Sequence, residues 1–230
     1  MIEIKICGIT DPDDALAACE AGVDALGFIF YLKSPRCVSP GRAREIIAAL
    51  PRTVAKVGVF VNDDPERIEE IAVVCGLDLL QLHGDETPEF CQQFPSSMVI
   101  KALSPQGVDD LEGIVDYPVR AVLVDAFAPG LYGGTGKTSN WELARTIGES
   151  VPLILSGGLN SSNIQGAIAS VSPHAVDINS GVESSPGRKD HDRVREIIGM
   201  IRRSAGGKEE TIFHDHQNSK RTGRDDENNA

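Results

Sequence analysis

Short runs of aliphatic and β-branched residues recur along the chain at 3–6, 25–30, 55–61, 79–82, 98–102, 121–124, 153–155 and 175–178. Each has the length and composition of a β-strand. Between them lie segments that share a start signal, a capping residue followed by proline: Asp11-Pro12, Ser39-Pro40, Asp64-Pro65 and Thr87-Pro88. The cap accepts a backbone N–H of the first turn, and proline needs no amide hydrogen at the first helical position. After Asp11 the apolar residues Ala15, Leu16, Cys19 and Val23 keep a helical spacing, as do Ile68, Ile71, Ala72 and Cys75 after Asp64. The last such segment, 190–203, carries Val194, Ile197, Ile198 and Ile201 at the same period.

Eight strands alternating with helices or helix-length connections leave an open doubly wound sheet or a closed (β/α)8 barrel. Residues 1–204 divided among eight units give about 25 per unit, close to the minimum for a strand, a short helix and two tight loops. No room remains for a second domain. A dinucleotide fold would also carry G-x-G-x-x-G after its first strand, where this chain has Cys7-Gly8-Ile9-Thr10. The α/β class prediction is therefore a single-domain TIM barrel over 1–204. Residues 205–230 contain only Ile212 and Phe213 as large apolar groups and are predicted to form a disordered tail. The one alternative is that Ile212 and Phe213 dock on the barrel. His214-Asp215-His216 in that tail is too weak a signal for a metal site.

Charge narrows the partners. With 22 Lys+Arg against 34 Asp+Glu the net charge is −12, which argues against nucleic acid or an anionic membrane as the main partner. No apolar run approaches the ~18–20 residues of a membrane helix, and the N-terminus lacks a signal-peptide pattern, so a cytoplasmic protein is expected. The five cysteines, Cys7, Cys19, Cys37, Cys75 and Cys91, are odd in number and form no CxxC, which points to free thiols.

In a (β/α)8 barrel the functional groups collect at the C-terminal ends of the strands. That rule nominates Cys7, the segment Lys33-Ser34-Pro35-Arg36, His83 and Asp125. It also nominates three glycine clusters: Gly133-Gly134-Thr135-Gly136-Lys137, Ser156-Gly157-Gly158-Leu159 and Asn179-Ser180-Gly181-Val182. Glycine loops let several backbone N–H groups converge, and the last loops of this fold are its usual phosphate cradle, so a phosphomonoester fits. A P-loop does not, because Leu131 stands where its first glycine belongs. Strand parity places Glu3, Lys5 and Cys7 on one face. Lys5 beneath the thiol should favour the thiolate, and Asp177, at the matching position of the neighbouring last strand, should pair with Lys5. Asp125 ends an apolar run, where burial and a nearby thiolate both favour its protonated acid.

At these residues the sequence closely resembles the phosphoribosylanthranilate isomerase family of tryptophan biosynthesis. The matching stretches are Lys5-Ile6-Cys7-Gly8-Ile9-Thr10, Gly27-Phe28-Ile29-Phe30 with Lys33-Ser34-Pro35-Arg36, Val57-Gly58-Val59-Phe60, and Leu80-Gln81-Leu82-His83-Gly84. They continue with Asp125 followed by Gly133-Gly134-Thr135-Gly136, Ser156-Gly157-Gly158-Leu159, and Ser180-Gly181-Val182-Glu183 with Pro186-Gly187. Asn179, where a small hydroxyl residue is expected, and Leu32, in place of a commoner proline, depart from the pattern.

The resemblance implies an Amadori rearrangement of N-(5-phosphoribosyl)anthranilate by general acid–base catalysis, with no cofactor and no metal. Carried over residue by residue, Asp125 is the acid and Cys7 the base, and Arg36 holds the anthranilate carboxylate. Gln81, His83 and Asp177 contact the substrate. Gly134, Gly136, Gly157, Gly158, Ser180 and Gly181 hold the phosphate. The expected partner is this small molecule alone, met by a monomer or a homodimer. Two rival classes are an aminoimidazole-carboxamide ribotide isomerase, which would use paired aspartates, and a catalytically silent phosphoester-binding barrel, which would have no reason to keep both Cys7 and Asp125.

Overall fold

The computed structural model describes residues 1–125, 140–204 and 210–214. Its eight parallel strands are β1 (Glu3–Ile6), β2 (Ala25–Ile29), β3 (Ala55–Phe60), β4 (Leu79–Leu82), β5 (Val99–Leu103), β6 (Ala121–Val124), β7 (Leu153–Leu155) and β8 (Ala175–Ile178). They form one closed barrel in sequence order, β8 pairing back onto β1. The barrel is ringed by α1 (Pro12–Glu20), α2 (Pro40–Ile47), α3 (Pro65–Cys75), α4 (Pro88–Cys91), α5 (Trp141–Ile147), α6 (Ile164–Val171) and α7 (His191–Arg203). The four capping residues expected from sequence, Asp11, Ser39, Asp64 and Thr87, each accept a first-turn N–H ahead of a proline that opens α1 to α4. No described helix is long and apolar enough to cross a membrane.

The connection between β5 and β6 is the irregular one. It consists of two 3-10 turns, Val108–Leu111 and Ile114–Asp116. The Asp110 carboxylate accepts the N–H groups of Gln106 and Gly107 at 2.7 and 3.2 Å, a local bond that competes with helix formation.

Strand alternation sorts the side chains into two layers. Ile4, Ile6, Leu26, Phe28, Leu80, Leu82, Val122, Val124, Val176 and Ile178 pack outward in the core shared with the helices. Inside the barrel, Ala25, Ala55, Val57, Leu79, Ile100, Ala102, Ala121, Leu123, Ile154 and Ala175 form a separate apolar cluster, rich in alanine and therefore hollow toward the N-terminal end.

Ile212 and Phe213, 1% and 6% exposed, complete this inner cluster. The Glu3 carboxylate accepts the Ile212 N–H at 2.5 Å and the Phe213 N–H at 3.2 Å, and Arg120 donates to the carbonyls of Ile212 and His214. The structure thus corrects the prediction of a wholly disordered 205–230 tail at Thr211, Ile212, Phe213 and His214. Average polarity hid two side chains large enough to fill a space that four alanines leave open. Glu210 is exposed, and the other residues of that tail, Asp215 and His216 among them, lie outside the described ones.

Candidate active site

Glu3, Lys5 and Cys7 ascend one inward face of β1, and the mouth of the barrel opens above Cys7. The thiol is 4% exposed and shares a small cluster with Ile29 and Val59. Room for it is made by Gly27 on the neighbouring strand, where a methyl group would lie 2.7 Å from Cys7 Sγ and 3.1 Å from Lys5 Cε. Lys5 is fully buried, and its Nζ donates to Asp177 Oδ1 at 3.0 Å, the two residues being register partners of β1 and β8. Burial works against the Lys5 ammonium, but Asp177 and Cys7 outweigh it and hold its pKa above the usual range.

For Cys7 the pull of Lys5 expected from sequence is present but is not the largest effect. Burial pushes the thiol up, Lys5 pulls it down, Asp177 pushes it up again, and the net result lies above the ordinary thiol value. Lys5 favours the thiolate, but desolvation wins because the sulfur lies in a nearly closed apolar cluster. Asp177, expected both to pair with Lys5 and to contact substrate, makes the first of these contacts through Oδ1.

Asp125 follows β6 and is 6% exposed, three strands around the barrel from Cys7 by way of β8 and β7. His83, after β4, sets its Nε2 at 3.3 Å from Asp125 Oδ2. That contact has the distance of an ion pair but not the alignment of a hydrogen bond, so proximity is the sounder description. The Gln81 side-chain nitrogen lies 2.7 Å from His83 Nδ1. With Gln81 donating there, a neutral ring carries its proton on Nε2, on the side of Asp125. Beneath this loop a buried pair missed in the sequence reading, Lys101 and Glu86, clasps the carbonyls of Leu82 and Gly84 and the N–H groups of Gly84 and Asn62. It fixes the chain on both sides of His83.

The loops after β7 and β8 meet back to back. A side chain at Gly181 would collide with the Leu159 carbonyl oxygen at 1.9 Å, so glycine is required for that approach. The N–H groups of Gly157, Gly158, Ser180 and Gly181 donate to no acceptor among the described residues, and backbone donors of this kind suit an anion. Asn160 and Asn163 brace the turn by donating to the Gly158 carbonyl, both at 3.0 Å. Gly134 and Gly136 lie outside the described residues.

Arg36, after β2, is buried and anchored by Glu183. Its Nε donates to both carboxylate oxygens at 2.9 and 3.1 Å, and its Nη2 donates at 2.7 Å. Glu183 opens a hairpin of β9 (Glu183–Ser185) and β10 (Arg188–Lys189), in which it pairs with Lys189. Lys189 Nζ donates to Glu183 Oε1 and Asn179 Oδ1, each at 3.0 Å. The role of Glu183 and Lys189 was not read from sequence, although Glu183 lay inside a matching motif; their pairing depends on the hairpin. No group of three or more His, Cys, Asp or Glu residues able to hold a metal occurs among the described residues.

The model of the N-(5'-phosphoribosyl)anthranilate (PRA) isomerase family matches residues 4–200. The chain belongs to that family. Among its relatives, the N-(5'-phosphoribosyl)anthranilate isomerase of Syntrophus aciditrophicus is 54% identical over 209 residues, covering 91% of each chain. A phosphoribosylanthranilate isomerase crystallised with reduced 1-(o-carboxyphenylamino)-1-deoxyribulose 5-phosphate is 42% identical with a TM-score of 0.76, covering 86% of this chain and 97% of that one. Monomers generated from the dimeric phosphoribosylanthranilate isomerase of Thermotoga maritima are 41% identical with a TM-score of 0.78, covering 88% and 99%. The PRA isomerase family therefore spans the whole barrel, and both ends of the candidate site lie within the matched residues.

Proposed function

We propose that this chain isomerises N-(5-phosphoribosyl)anthranilate to 1-(2-carboxyphenylamino)-1-deoxyribulose 5-phosphate, as a step of tryptophan biosynthesis. The observation that carries this reading is the pairing of a buried thiol and a buried carboxyl at two strand ends of one mouth, between an arginine and a cradle of unpaired N–H groups. The glycine loops after β7 and β8 bind the ribose phosphate, and Arg36 binds the anthranilate carboxylate. The reacting ribose carbons are thereby held between Cys7 and Asp125.

Asp125 gives its proton to the furanose ring oxygen as the C1–O bond breaks, and the nitrogen lone pair forms the iminium. The Cys7 thiolate then removes the C2 proton, and the C–H electron pair moves to give an enolamine. Tautomerisation to the ketone completes the aldose-to-ketose change without oxidation or reduction. Both transfers use side chains of the barrel, so the reaction calls for no cofactor. His83 orients Asp125, with Gln81 fixing the ring, and Asp177 acts through Lys5. These roles are supported by the 2.7 and 3.3 Å contacts at His83 and the 3.0 Å contact at Lys5.

The small molecule is the partner this site fits. We place the chain in the cytoplasm, as a monomer or a homodimer, the dimeric relative supporting the latter. Following the loss of anthranilate-glycoside fluorescence with purified protein tests the reading. Steady conversion to the ketose is expected, whereas tight binding without conversion would indicate the silent barrel.

A further inference from the structure

We infer that Glu183 is a positioning residue for substrate recognition: it selects which edge of Arg36 meets the anthranilate carboxylate, while Lys189 keeps the cluster cationic. This rests on the role proposed above for Arg36.

A guanidinium carries five N–H donors, arranged as a side edge (Nε with Nη2) and an end edge (Nη1 with Nη2). Glu183 occupies the side edge completely, with contacts of 2.7 to 3.1 Å. Arg36 Nη1 has no partner among the described residues. The free end edge therefore has the two parallel donors that a planar carboxylate takes in bidentate fashion. Without Glu183 the same arginine would rotate freely between its two edges.

Glu183 can impose this geometry because its own support is rigid. Its Oε1 also accepts the Gly187 N–H at 3.2 Å, across the turn of the hairpin. That hairpin is pinned to the segment after β1: Thr10 Oγ1 donates to the Gly187 carbonyl at 2.6 Å, and buried Asp14 accepts the Lys189 N–H at 2.8 Å. The same segment carries Cys7, so the carboxylate reader and the proposed base share one scaffold.

Charge is the second half of the inference. Arg36 and Glu183 alone sum to zero and would offer an incoming carboxylate little attraction. Lys189 donates to Glu183 Oε1, Asn179 Oδ1 and the Asn179 carbonyl at 3.0, 3.0 and 3.4 Å, three acceptors for the three N–H groups of an ammonium. Within this triad one carboxylate between two cations leaves a net charge of +1; burial pushes the Lys189 ammonium below its usual range with Glu183 opposing it, and the buried Asp14 carboxylate accepts the backbone N–H of Lys189. Burial alone would raise the Glu183 carboxyl; the hydrogen bonds from Arg36 and the charge of Lys189 outweigh it and hold its pKa below the usual carboxylate range. Asn179, the residue that departs from the family pattern, supplies one of the acceptors that orient Lys189.

The test uses two stable ligands with the intact protein: reduced 1-(o-carboxyphenylamino)-1-deoxyribulose 5-phosphate and its counterpart with a plain phenylamino group. Calorimetric Kd values for both are measured in wild type, Arg36→Ala, Glu183→Gln and Lys189→Met, with KM and kcat for the natural substrate. Glu183→Gln adds one unit of positive charge but releases the side edge of Arg36, and the lost orientation is expected to outweigh the added attraction, reducing the preference for the carboxylated ligand by about tenfold, the scale of one charge-assisted hydrogen bond. The phenyl ligand should bind as before, and the change should fall on KM more than on kcat. Lys189→Met should reduce the preference likewise, and it keeps the test open should Glu183→Gln fail to fold. A Glu183→Gln protein that keeps or raises its preference, or loses affinity for both ligands equally, overturns the inference. If Arg36→Ala also keeps the preference, it is the Arg36 assignment that fails, so the two failures are distinct.

Discussion

Gly27 faces Cys7 so closely that a single methyl group on it would stand 2.7 Å from the sulfur. The same methyl would lie 3.1 Å from the Cys7 Cα, so a side-chain rotation alone cannot relieve the contact. Glycine at the second inward position of β2 is therefore part of the geometry around the proposed base. Gly27→Ala is expected to lower kcat at least tenfold and to cost about 1–3 kcal/mol of stability, the usual range for overpacking. Steady-state kinetics and a thermal melt on one preparation check both effects.

Ile212 and Phe213 seal the end of the barrel opposite the site. Truncation after Ser204 removes both, at roughly 1.5–3 kcal/mol for each fully buried side chain. A fall in Tm of several degrees is expected, at about 2–4 °C per kcal/mol for a chain of this size. Turnover at 25 °C should not change, since the lost residues lie at the N-terminal end of the strands. Calorimetry on the truncated chain and on Phe213→Ala checks this, and an unaltered Tm in both would mean the segment contributes nothing.

Iodoacetamide labelling of Cys7 against pH reads the thiol directly, with Cys7→Ala used to subtract the other four thiols. Burial and Asp177 outweigh Lys5, so the labelling midpoint should lie above the ordinary thiol value of about 8.5. The thiolate is the reactive form and carries negative charge. Asp177→Asn removes a negative neighbour, which favours the thiolate, while Lys5, though it loses one of the anions that hold it charged, keeps the thiolate as its counter-ion. The midpoint should therefore move down in that variant. An upward move would show that Asp177 acts on Cys7 chiefly by keeping Lys5 charged.

Arg36 and Asp125 should separate kinetically. The carboxylate contact proposed for Arg36 would exist in ground and transition states alike, so Arg36→Ala should chiefly raise KM. Asp125→Asn keeps shape but cannot deliver the ring-opening proton, so kcat should fall by about 10²–10⁴. Equal losses confined to kcat in both variants would remove the binding role from Arg36.

How much of this was legible in the sequence depended on how local the signal was. The helix starts at Asp11, Ser39, Asp64 and Thr87 were plain because a cap and a proline act within one turn, and strand parity alone placed Glu3, Lys5 and Cys7 on a common face. The Lys5–Asp177 contact followed from closing the barrel. What escaped was tertiary. Glu183 and Lys189 matter because a hairpin sets them opposite one another and brings Arg36 alongside, and no spacing rule encodes that triad. Ile212 and Phe213 were lost in a polar average, since the cavity that receives them is made by Ala25, Ala55, Ala121 and Ala175 from four separate strands. The pull of Lys5 on Cys7 was legible but the larger effect of burial was not, because a charged neighbour is visible in sequence and desolvation is not.

The central claim is that Cys7 removes the C2 proton. Its most direct test is the turnover of Cys7→Ala at saturating N-(5-phosphoribosyl)anthranilate, followed by the fluorescence of the anthranilate group. With the base removed and the binding groups untouched, kcat should fall by about 10²–10⁴ while KM stays near its wild-type value. Wild-type turnover by Cys7→Ala, with substrate bound as tightly as before, would contradict the claim.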